Sequence, residues 1–319
     1  MDFQGRKILF IGIGFYDYDK LIVEKLKNKG AVVNYICQSH HNRVMNQFAK
    51  FKSASHIEKK HSEKHLFLQL DNQTNYDYIF VIKGDRLCSQ HIDMLKKNNP
   101  SATFILYHWD SIRRVEGGAK IASLFDRVCS FDRLDCNKYS FDFIPLFYRN
   151  RIERKATYKY DISFVGWLHF NRLDLLKDIA LKMDVVNKSY KFYLFTNPIN
   201  WFRLNILKRI TFIHRKTLAY SEYSEIVSNS NAILDFHHPK QDGLTMRTIE
   251  ALGANRKIIT TNSDIRHYDF YEFKNVFILD DDVEIQSLIN FINEDFSPVP
   301  ESILYQYSMD AWLDKIFSF

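Results

Sequence analysis

Residues 231–262 read NAILDFHHPKQDGLTMRTIEALGANRKIITTN, and this stretch decides the fold. The apolar run Asn231–Phe236 predicts a buried strand, and the polar residues after it predict a loop. A short helix is predicted from Gly243 to Gly253, and Lys257–Thr261 predicts the next strand. A strand, a loop, a helix and a second strand in this order indicate an α/β domain with a parallel sheet.

The polar residues within this stretch have the character of an anion site. A helix N-terminus presents free backbone N–H groups and the positive end of the helix dipole. Arg247 in the first turn adds a forked donor for phosphate oxygens, and Glu250 on the same helix can accept hydrogen bonds from a vicinal diol such as ribose. Both residues also fit an ordinary solvated helix flank. The loop before the helix, at a strand's carboxyl end where α/β proteins bind ligands, carries His237, His238, Lys240, Gln241 and Asp242.

The same alternation of apolar strands and helices extends over the rest of the chain and indicates parallel, doubly wound sheets. The basic stretch Tyr148–Lys159 has no apolar period and predicts a linker. We therefore predict an N-terminal domain over 1–152, a C-terminal domain over 153–300, and an aromatic helix over 301–319 that packs back on the body. The further predicted strands are Lys7–Ile13, Ala31–Cys37, Tyr76–Ile82, Ala102–Tyr107, Val128–Phe131, Asp161–Val165, Tyr190–Phe195 and Val276–Leu279.

The composition is that of a soluble globular protein, with 46% apolar and 26% charged residues among 319. No apolar run is long enough to span a bilayer, and residues 1–14 lack the layout of a signal peptide. The 4 cysteines form no C-x-x-C pair, which argues against a zinc site or a disulfide framework. The acidic run Asp280–Asp282 predicts an exposed turn and helix cap rather than a metal site. These features favour a cytoplasmic protein that binds no metal.

The segment Trp201–Lys216 contains five Lys and Arg residues among bulky apolar ones and no acid. On a helix this segment would form a basic amphipathic face. Such a helix suits peripheral contact with an anionic membrane or a lipid-linked anionic substrate, or it docks on the protein with its cations extended to water. We expect no nucleic-acid partner, since nothing in the sequence resembles a known binding module.

Two α/β domains with a nucleotide-type site in the second resemble the GT-B fold of glycosyltransferases. Asp242-x7-Glu250 resembles the E-x7-E region of retaining GT-B enzymes, and the phrase from GLTMR to KIITTN closely resembles bacterial enzymes of capsular polysaccharide and lipopolysaccharide biosynthesis. The run DISFVG at Asp161–Gly166, with Arg172 soon after, is similar to the opening of the donor domain in that group. The N-terminal half matches in its pattern and in the phrase YHWDS at Tyr107–Ser111.

The resemblance implies two Rossmann-like doubly wound domains that face a central cleft. It also implies a nucleotide-diphosphate sugar as substrate, no cofactor and no metal. Glu250 would accept hydrogen bonds from the ribose, while Arg247 or Arg172 would neutralise charge on the departing diphosphate. Asp242 stands where these enzymes have Glu, which leaves retention or inversion of configuration open. The implied donor-binding set, with the backbone N–H groups of 243–245 directed at the diphosphate, is Gly166, Arg172, His237, His238, Gly243, Leu244, Thr245, Arg247 and Glu250.

The N-terminal domain offers acceptor-side candidates after two of its strands. Gly12 and Gly14 permit a tight turn, but the third glycine of a dinucleotide-binding fingerprint is missing, which disfavours a dehydrogenase. Asp17 is either a catalytic base or the cap of the helix that starts near Tyr18. A later strand is followed by Trp109, which either offers a face for stacking on a sugar or is buried. The catalytic candidates are Asp110, as first choice, Asp17 and Asp242, and the acceptor-side candidates are Gly14, His108 and Trp109.

The sequence therefore predicts a cytoplasmic glycosyltransferase that extends a bacterial surface glycan. Its acceptor is expected to be lipid-linked, so that the protein works at the inner face of the cell membrane. Two alternatives stay open. One is a sugar-nucleotide epimerase of the GT-B type, and the other is a non-catalytic protein of the same fold that binds a glycan or a partner.

Overall fold

The computed structural model describes residues 2–38, 63–115, 117–169, 171–280 and 284–318. The chain divides into two compact units. The first unit runs to Pro145 and also includes Lys240–Gly243 and the chain from Trp312 onward, and the second consists of Leu146–Pro239 and Leu244–Ala311.

The first unit is built on a parallel six-stranded sheet. Along the chain its strands are β1 (Lys7–Gly12), β2 (Val32–Cys37), β3 (Tyr78–Ile82), β4 (Thr103–His108), β5 (Arg127–Ser130) and β6 (Asp142–Phe143). They lie side by side in the order β2-β1-β3-β4-β5-β6. The strand order reverses between β1 and β3, and ligands of such sheets bind at the carboxyl ends of the strands on either side of that point.

The helices of the first unit connect these strands and cover the sheet. In the core, Leu9, Val81 and Leu106 from three neighbouring strands belong to one buried apolar cluster with helix residues such as Ile92 and Leu95. Burial of apolar side chains on this scale is the main source of the unit's stability. The helices are α1 (Tyr18–Asn28), α2 (Ser89–Asn98), α3 (Gly118–Ala122) and α4 (Arg133–Tyr139), with a short 3₁₀ helix at Ile112–Arg114.

The second unit has its own parallel six-stranded sheet. Its strands are β7 (Tyr160–Trp167), β8 (Tyr190–Phe195), β9 (Ile213–His214), β10 (Ser230–Asp235), β11 (Lys257–Thr260) and β12 (Val276–Ile278). The order is β12-β11-β10-β7-β8-β9. The chain moves outward from β7 to β9 and then returns to the other side of β7, so the switch point lies between β7 and β10.

Helices also surround the second sheet. Leu176 and Met183 from one helix and Ile292 from another are buried in a single apolar cluster with the strand residues Phe164 and Leu234. The α-helices that follow α4 in the chain are α5 (Arg172–Val185), α6 (Pro198–Trp201), α7 (Tyr220–Ser228), α8 (Met246–Gly253), α9 (Ile285–Asn293), α10 (Glu301–Gln306) and α11 (Met309–Phe317), with 3₁₀ helices at Ser263–His267 and Asp269–Phe273.

The doubly wound α/β fold predicted from the sequence is confirmed, including the tail that packs back on the body. In the first unit, the rings of Trp312 and Phe317 lie 6.0 and 5.4 Å from the ring of Phe80. The tail forms two short helices, α10 and α11, rather than the single helix that its aromatic pattern predicts.

Two segments differ from their sequence patterns. The basic segment Trp201–Lys216 does not form a single helix: α6 passes into a π-helix at Phe202–Leu207, and the chain then enters strand β9. The helix predicted from Gly243 begins instead at Met246, after the N-cap Thr245, whose side chain accepts a hydrogen bond from the backbone of the first turn. Gly243 belongs to the loop before it.

Candidate functional site

A buried carboxylate organises the switch point of the second unit. Asp235 is the last residue of β10, and only 1% of its side chain is exposed. Its carboxylate accepts hydrogen bonds from the hydroxyls of Thr245 and Thr248, each at 2.9 Å, and from the Arg247 guanidinium at 2.5 Å. Thr245 is the N-cap of α8, and the other two residues lie in the first turn of that helix. Asp235 therefore fixes the start of α8 against the strand end.

Arg247 and Gly166 depend on each other. The Arg247 Nε donates to the carbonyl of Val165 in β7 at 3.0 Å. A Cβ atom at Gly166 would lie 2.8 Å from the Arg247 Nη2 and 2.9 Å from the Phe164 ring, so a larger residue would displace the guanidinium from its place across β7. The sequence assigned Arg247 to the diphosphate, whereas in this structure its guanidinium joins β7, β10 and α8. Its proposed effect on a phosphate is therefore that of a nearby positive charge.

Arg172 bridges the two strand ends at the switch point. It is the first residue of α5, and its guanidinium donates to the carbonyls of Trp167 at 3.2 Å and Phe236 at 2.9 Å. These two residues end β7 and follow β10, so the hydrogen bonds hold the guanidinium at the carboxyl edge of the sheet. The N-terminus of α5, with its positive dipole end, lies at the same place.

A cavity of about 470 Å³ opens at this edge, beside α5 and α9. Arg172, Lys182 and His237 contribute its basic groups, and its volume is in the range of small-molecule sites. Its walls come from one helix on either side and from the residues that follow β10, β11 and β12. The other lining residues are Asn171, Leu175, Asp178, Ile179, Phe236, Pro239, Thr261, Leu279, Asp280, Ile285 and Leu288.

Of the two histidines after β10, only His237 lines the cavity. His237 lies with its Nδ1 2.9 Å from the hydroxyl of Thr261, to which its backbone N–H also donates at 3.1 Å. Burial lowers the pKa of His237, so the imidazole is neutral at pH 7 and lines the cavity as a hydrogen-bonding group rather than a cation. His238 is half-buried and is not among the cavity residues.

Glu250 is a buried carboxylate in the middle of α8. It accepts a hydrogen bond from the backbone N–H of Arg149 at 3.0 Å, and the Arg149 guanidinium lies 3.9 Å from the ring centre of Tyr220. Burial, followed by the negative charge of Glu250, raises the pKa of Tyr220 to about 12. A carboxylate offers two oxygens with about four acceptor positions, which is the chemistry that the ribose role requires.

The loop residues Asp242 and Gly243 belong to the first unit, not to the second. Their backbone N–H groups donate to the buried carboxylate of Asp132 at 3.0 and 3.4 Å, so the Gly243 N–H has a partner within the protein. A Cβ atom at Gly243 would lie 2.6 Å from Phe131, which explains the need for glycine there. Leu244 is buried in the second unit.

Asp110 is held between two cations at the carboxyl edge of the first sheet. Its carboxylate pairs with Arg114 at 2.7 Å and with Lys83 at 3.1 Å. Burial lowers the pKa of Lys83, but the carboxylates of Asp110 and Asp85 outweigh burial, and the net pKa is raised. Arg114 also donates to Gln241 at 2.7 Å within the same unit. Both Asp110 oxygens therefore face a positive partner.

His108 and Trp109 lie in the interior of the first unit. Both ring nitrogens of His108 are buried and have no hydrogen-bond partner among the described residues, and burial lowers the pKa of His108 to about 4. Trp109 packs edge-on against Tyr18, Tyr107 and Trp312. Neither ring can reach a ligand without rearrangement, so we leave both out of the proposed site.

The glycine loop after β1 is held by an acid that the sequence did not single out. Gly14 has a φ of 69°, and its N–H donates to the buried Asp19 at 2.7 Å, which also accepts from the Tyr35 hydroxyl. Asp17 occupies the N-cap position of α1 but makes no side-chain cap hydrogen bond, and its carboxylate lies 3.7 Å from Lys20 in an exposed pair.

Sequence reasoning therefore missed three buried acids that organise the strand ends: Asp19, Asp132 and Asp235. Asp19 lies in the first turn of a helix, Asp132 caps a helix soon after β5, and Asp235 ends β10. An acid at the end of an apolar run is the one local signal that marks the last two. Within the described ranges, no group of three or more His, Cys, Asp or Glu side chains is placed to hold a metal ion. The predicted turn at Asp280–Asp282 lies partly outside the described residues.

No protein-family model and no curated protein matches the sequence. Solved structures do match. AviGT4, a glycosyltransferase involved in avilamycin A biosynthesis, aligns with a TM-score of 0.62 and 9% identity over 97% of this chain and 95% of its own. MurG from Acinetobacter baumannii aligns at 0.52 and 9% identity over 97% and 95%.

A third match is the UDP-GlcNAc 2-epimerase from Neisseria meningitidis bound to UDP-GlcNAc, with a TM-score of 0.50 and 9% identity over 97% of this chain and 98% of that one. Identities this low speak for the fold alone. Two doubly wound units and these full-length alignments confirm that the chain has the GT-B fold.

Proposed function

We propose that this protein is a glycosyltransferase that moves a sugar from a nucleotide-diphosphate donor to a glycan acceptor. The observation that carries the proposal is the cavity at the switch point of the second unit, with Arg172 fixed at its edge. A guanidinium held by two carbonyls is a preorganised partner for phosphate oxygens, because little entropy is lost when it binds. The apolar cavity wall, with Leu175, Ile179 and Leu288, suits the flat face of a nucleobase.

The remaining donor roles follow from charge and position. The buried Glu250 is our proposed acceptor for the ribose hydroxyls. Arg247, tied to Asp235, contributes a fixed positive charge that stabilises the departing diphosphate without direct contact. His237 and His238 are proposed to contact the diphosphate or the transferred sugar. In this proposal no metal is needed at the donor site, because Arg172 and Arg247 supply the positive charge that balances the diphosphate.

The three candidate catalytic carboxylates, Asp17, Asp110 and Asp242, differ in how many cations bind them. The Asp110 oxygens are bound by Lys83 and Arg114, and Asp242 pairs with Arg113. The Asp17 carboxylate, by contrast, is 54% exposed and lies 3.7 Å from Lys20, so a ligand can approach it from solvent. We therefore propose that Asp110 and Asp242 position the acceptor or the sugar, and that Asp17 is the candidate base.

The proposed acceptor is a growing bacterial surface glycan, lipid-linked and presented at the inner face of the cell membrane. Its support is the resemblance of the GLTMR to KIITTN phrase to capsule and lipopolysaccharide enzymes. No helix among the described residues has the length and apolarity needed to cross a bilayer. A cytoplasmic location with peripheral membrane contact is part of the proposal.

The first test is the thermal stabilisation of the protein by a panel of nucleoside diphosphates and nucleotide sugars. A ligand that binds only the native state raises the melting temperature by mass action. We expect one nucleotide family to stabilise the wild type, and the shift to shrink in Glu250→Gln and Arg172→Met but not in the exposed control Glu225→Gln. Each variant is compared with its own ligand-free melting temperature, which separates lost binding from lost stability.

The outcomes distinguish the proposal from its rivals. If no nucleotide stabilises the wild type, the transferase proposal loses its main support and a glycan-binding or partner-binding protein replaces it. If a nucleotide sugar binds and is converted to an isomer without any acceptor, the protein is an epimerase. Transfer to an added glycan, with release of the nucleoside diphosphate, supports the transferase.

A further inference from the structure

The segment between β8 and β9 forms a surface that has no part in the donor cavity. We call it the basic apolar patch, and it covers residues 199–216. None of its residues lines the cavity at the switch point. The patch consists of the apolar residues Ile199, Phe202, Ile206 and Leu207 and the cations Arg203, Lys208, Arg209, Arg215 and Lys216.

The inner side of this segment is firmly anchored in the second unit. Leu204, Ile210 and Ile213 are buried in the apolar cluster of the domain, and Trp201 packs against the same cluster. The side-chain amide of Asn205 donates to the carbonyls of Ile210 and Ile213 at 3.1 and 3.0 Å. Packing and hydrogen bonds therefore hold the backbone of the patch in place, and this fixes the positions from which its outward side chains extend.

The outward side exposes four large apolar side chains that lie within a short stretch of the sequence. Ile199 is 76% exposed, Phe202 52%, Ile206 47% and Leu207 65%. A segment that merely docks on the protein would turn such side chains inward, as Leu204 does. Four exposed apolar residues within nine positions instead mark an interaction surface.

The charge around these side chains has a single sign. All five cations of the patch are exposed, and no acid occurs from 197 to 217. None of the five forms an ion pair with another described residue. Arg215 stacks on the ring of Trp201, with its guanidinium 5.6 Å from the ring centre. The patch therefore combines exposed apolar side chains with positive charge that is paired with no described acid.

We propose that the basic apolar patch docks the second unit on a bilayer that contains anionic phospholipids. Phe202, Ile206 and Leu207 would enter the boundary between headgroups and acyl chains, where apolar area is buried. The cations would lie at the level of the headgroups and attract the negative surface, as clusters of Lys and Arg do. Both parts are needed, since the apolar area is small and the charge alone is screened by salt.

This docking surface goes beyond sugar transfer, because binding to lipid is measured without donor or acceptor. It also supplies the proposed function with a means of reaching a lipid-linked substrate. Failure of the docking test would leave donor binding untouched, and failure of the nucleotide test would leave docking untouched.

The test is co-sedimentation of the full chain with vesicles of phosphatidylcholine alone and of phosphatidylcholine mixed with phosphatidylglycerol. We expect binding to the mixed vesicles to be tighter by about tenfold or more, and to weaken as salt is raised. The double variant Phe202→Ser, Leu207→Ser and the double variant Lys208→Gln, Arg209→Gln should each lose about tenfold in affinity.

A matched control removes exposed apolar side chains elsewhere in the same unit. Leu181 and Val185 on α5 are 68% and 82% exposed, and Leu181→Ser, Val185→Ser should bind vesicles as the wild type does. Equal binding to neutral and anionic vesicles, no binding to either, or an equal loss in the control variant would overturn the proposal. Unchanged melting temperatures confirm that the variants are folded.

Discussion

Replacing Asp235 by Asn tests whether the start of α8 is fixed by a buried charge. In the native protein the carboxylate accepts hydrogen bonds from Arg247, Thr245 and Thr248. An amide of the same shape keeps one acceptor oxygen but turns an NH₂ group toward the other donors. Arg247 then keeps its bond to the Val165 carbonyl but loses its counter-charge.

The magnitude follows from burial. Removing one member of a buried ion pair costs about 3–5 kcal/mol. The Arg247 side chain retains 16% exposure, and the amide retains one acceptor, so we expect the free energy of unfolding to fall by about 2–4 kcal/mol. Urea unfolding followed by circular dichroism measures this as a shift of the midpoint.

The matched control is Glu301→Gln. Glu301 pairs with Arg151 at 2.6 Å, but 79% of its side chain is exposed, so its loss should change the free energy of unfolding by no more than about 0.5 kcal/mol. In the double variant Asp235→Asn, Arg247→Met the uncompensated charge is gone, and the loss should be smaller than the sum of the two single losses. If Asp235→Asn behaves like Glu301→Gln, the network is not stabilising and the reasoning fails.

Three further substitutions test buried contacts inside the individual units. Gly253→Ala places a Cβ 2.4 Å from the Tyr148 ring and should destabilise by about 1–3 kcal/mol, and an unchanged melting temperature would contradict this. Lys257→Met leaves three carbonyl oxygens at the end of α9 without their buried donor, so urea unfolding should show a loss of about 2–3 kcal/mol, against almost none for the exposed control Lys27→Met. The folded-state pKa of His108 is about 4 against 6.5 in the unfolded chain, so the unfolded state binds more protons and stability should fall by up to about 3 kcal/mol as the pH drops from 6.5 to 4. His108→Phe should lack that part of the pH dependence, and an identical pH profile in the variant would refute the assignment.

Strand positions could be predicted from the sequence because parallel strands are buried on both faces and read as continuous apolar runs. The run Asn231–Phe236 illustrates this, since β10 occupies Ser230–Asp235. Element ends were less predictable. A helix starts where a side chain accepts a hydrogen bond from one of the first free N–H groups. Here that side chain is Thr245, so the helix begins at Met246 and not at Gly243.

Side-chain roles were harder to predict than elements, because burial and partners depend on residues far along the chain. Trp109 follows a strand end, where a sugar-stacking face is plausible, yet Trp312 and its neighbours cover it. In the sequence, Asp235 resembles any polar residue at the end of a strand. Its three partners are the N-cap and two first-turn residues of a helix that begins after a loop of ten residues, 236–245. The sequence shows that residue 247 is an arginine, but it does not show that this arginine donates a hydrogen bond to the carbonyl of Val165.

The two acids of the Asp242-x7-Glu250 spacing belong to different compact units. Asp242 belongs to the first compact unit, where its backbone is bonded to Asp132 and its carboxylate pairs with Arg113, whereas Glu250 belongs to the second unit and is bonded to the backbone of Arg149. Their separation in sequence therefore does not make them one chemical group, and each must be tested against its own unit. If a substitution at Glu250 abolishes stabilisation by the nucleotide, Glu250 is assigned to the donor site of the second unit. The same result says nothing about the function of Asp242. The role of Asp242 has to be tested by measuring the rate of sugar transfer in an Asp242 variant. Its carboxylate is already paired with Arg113, and its backbone N–H is bonded to Asp132, both within the first unit.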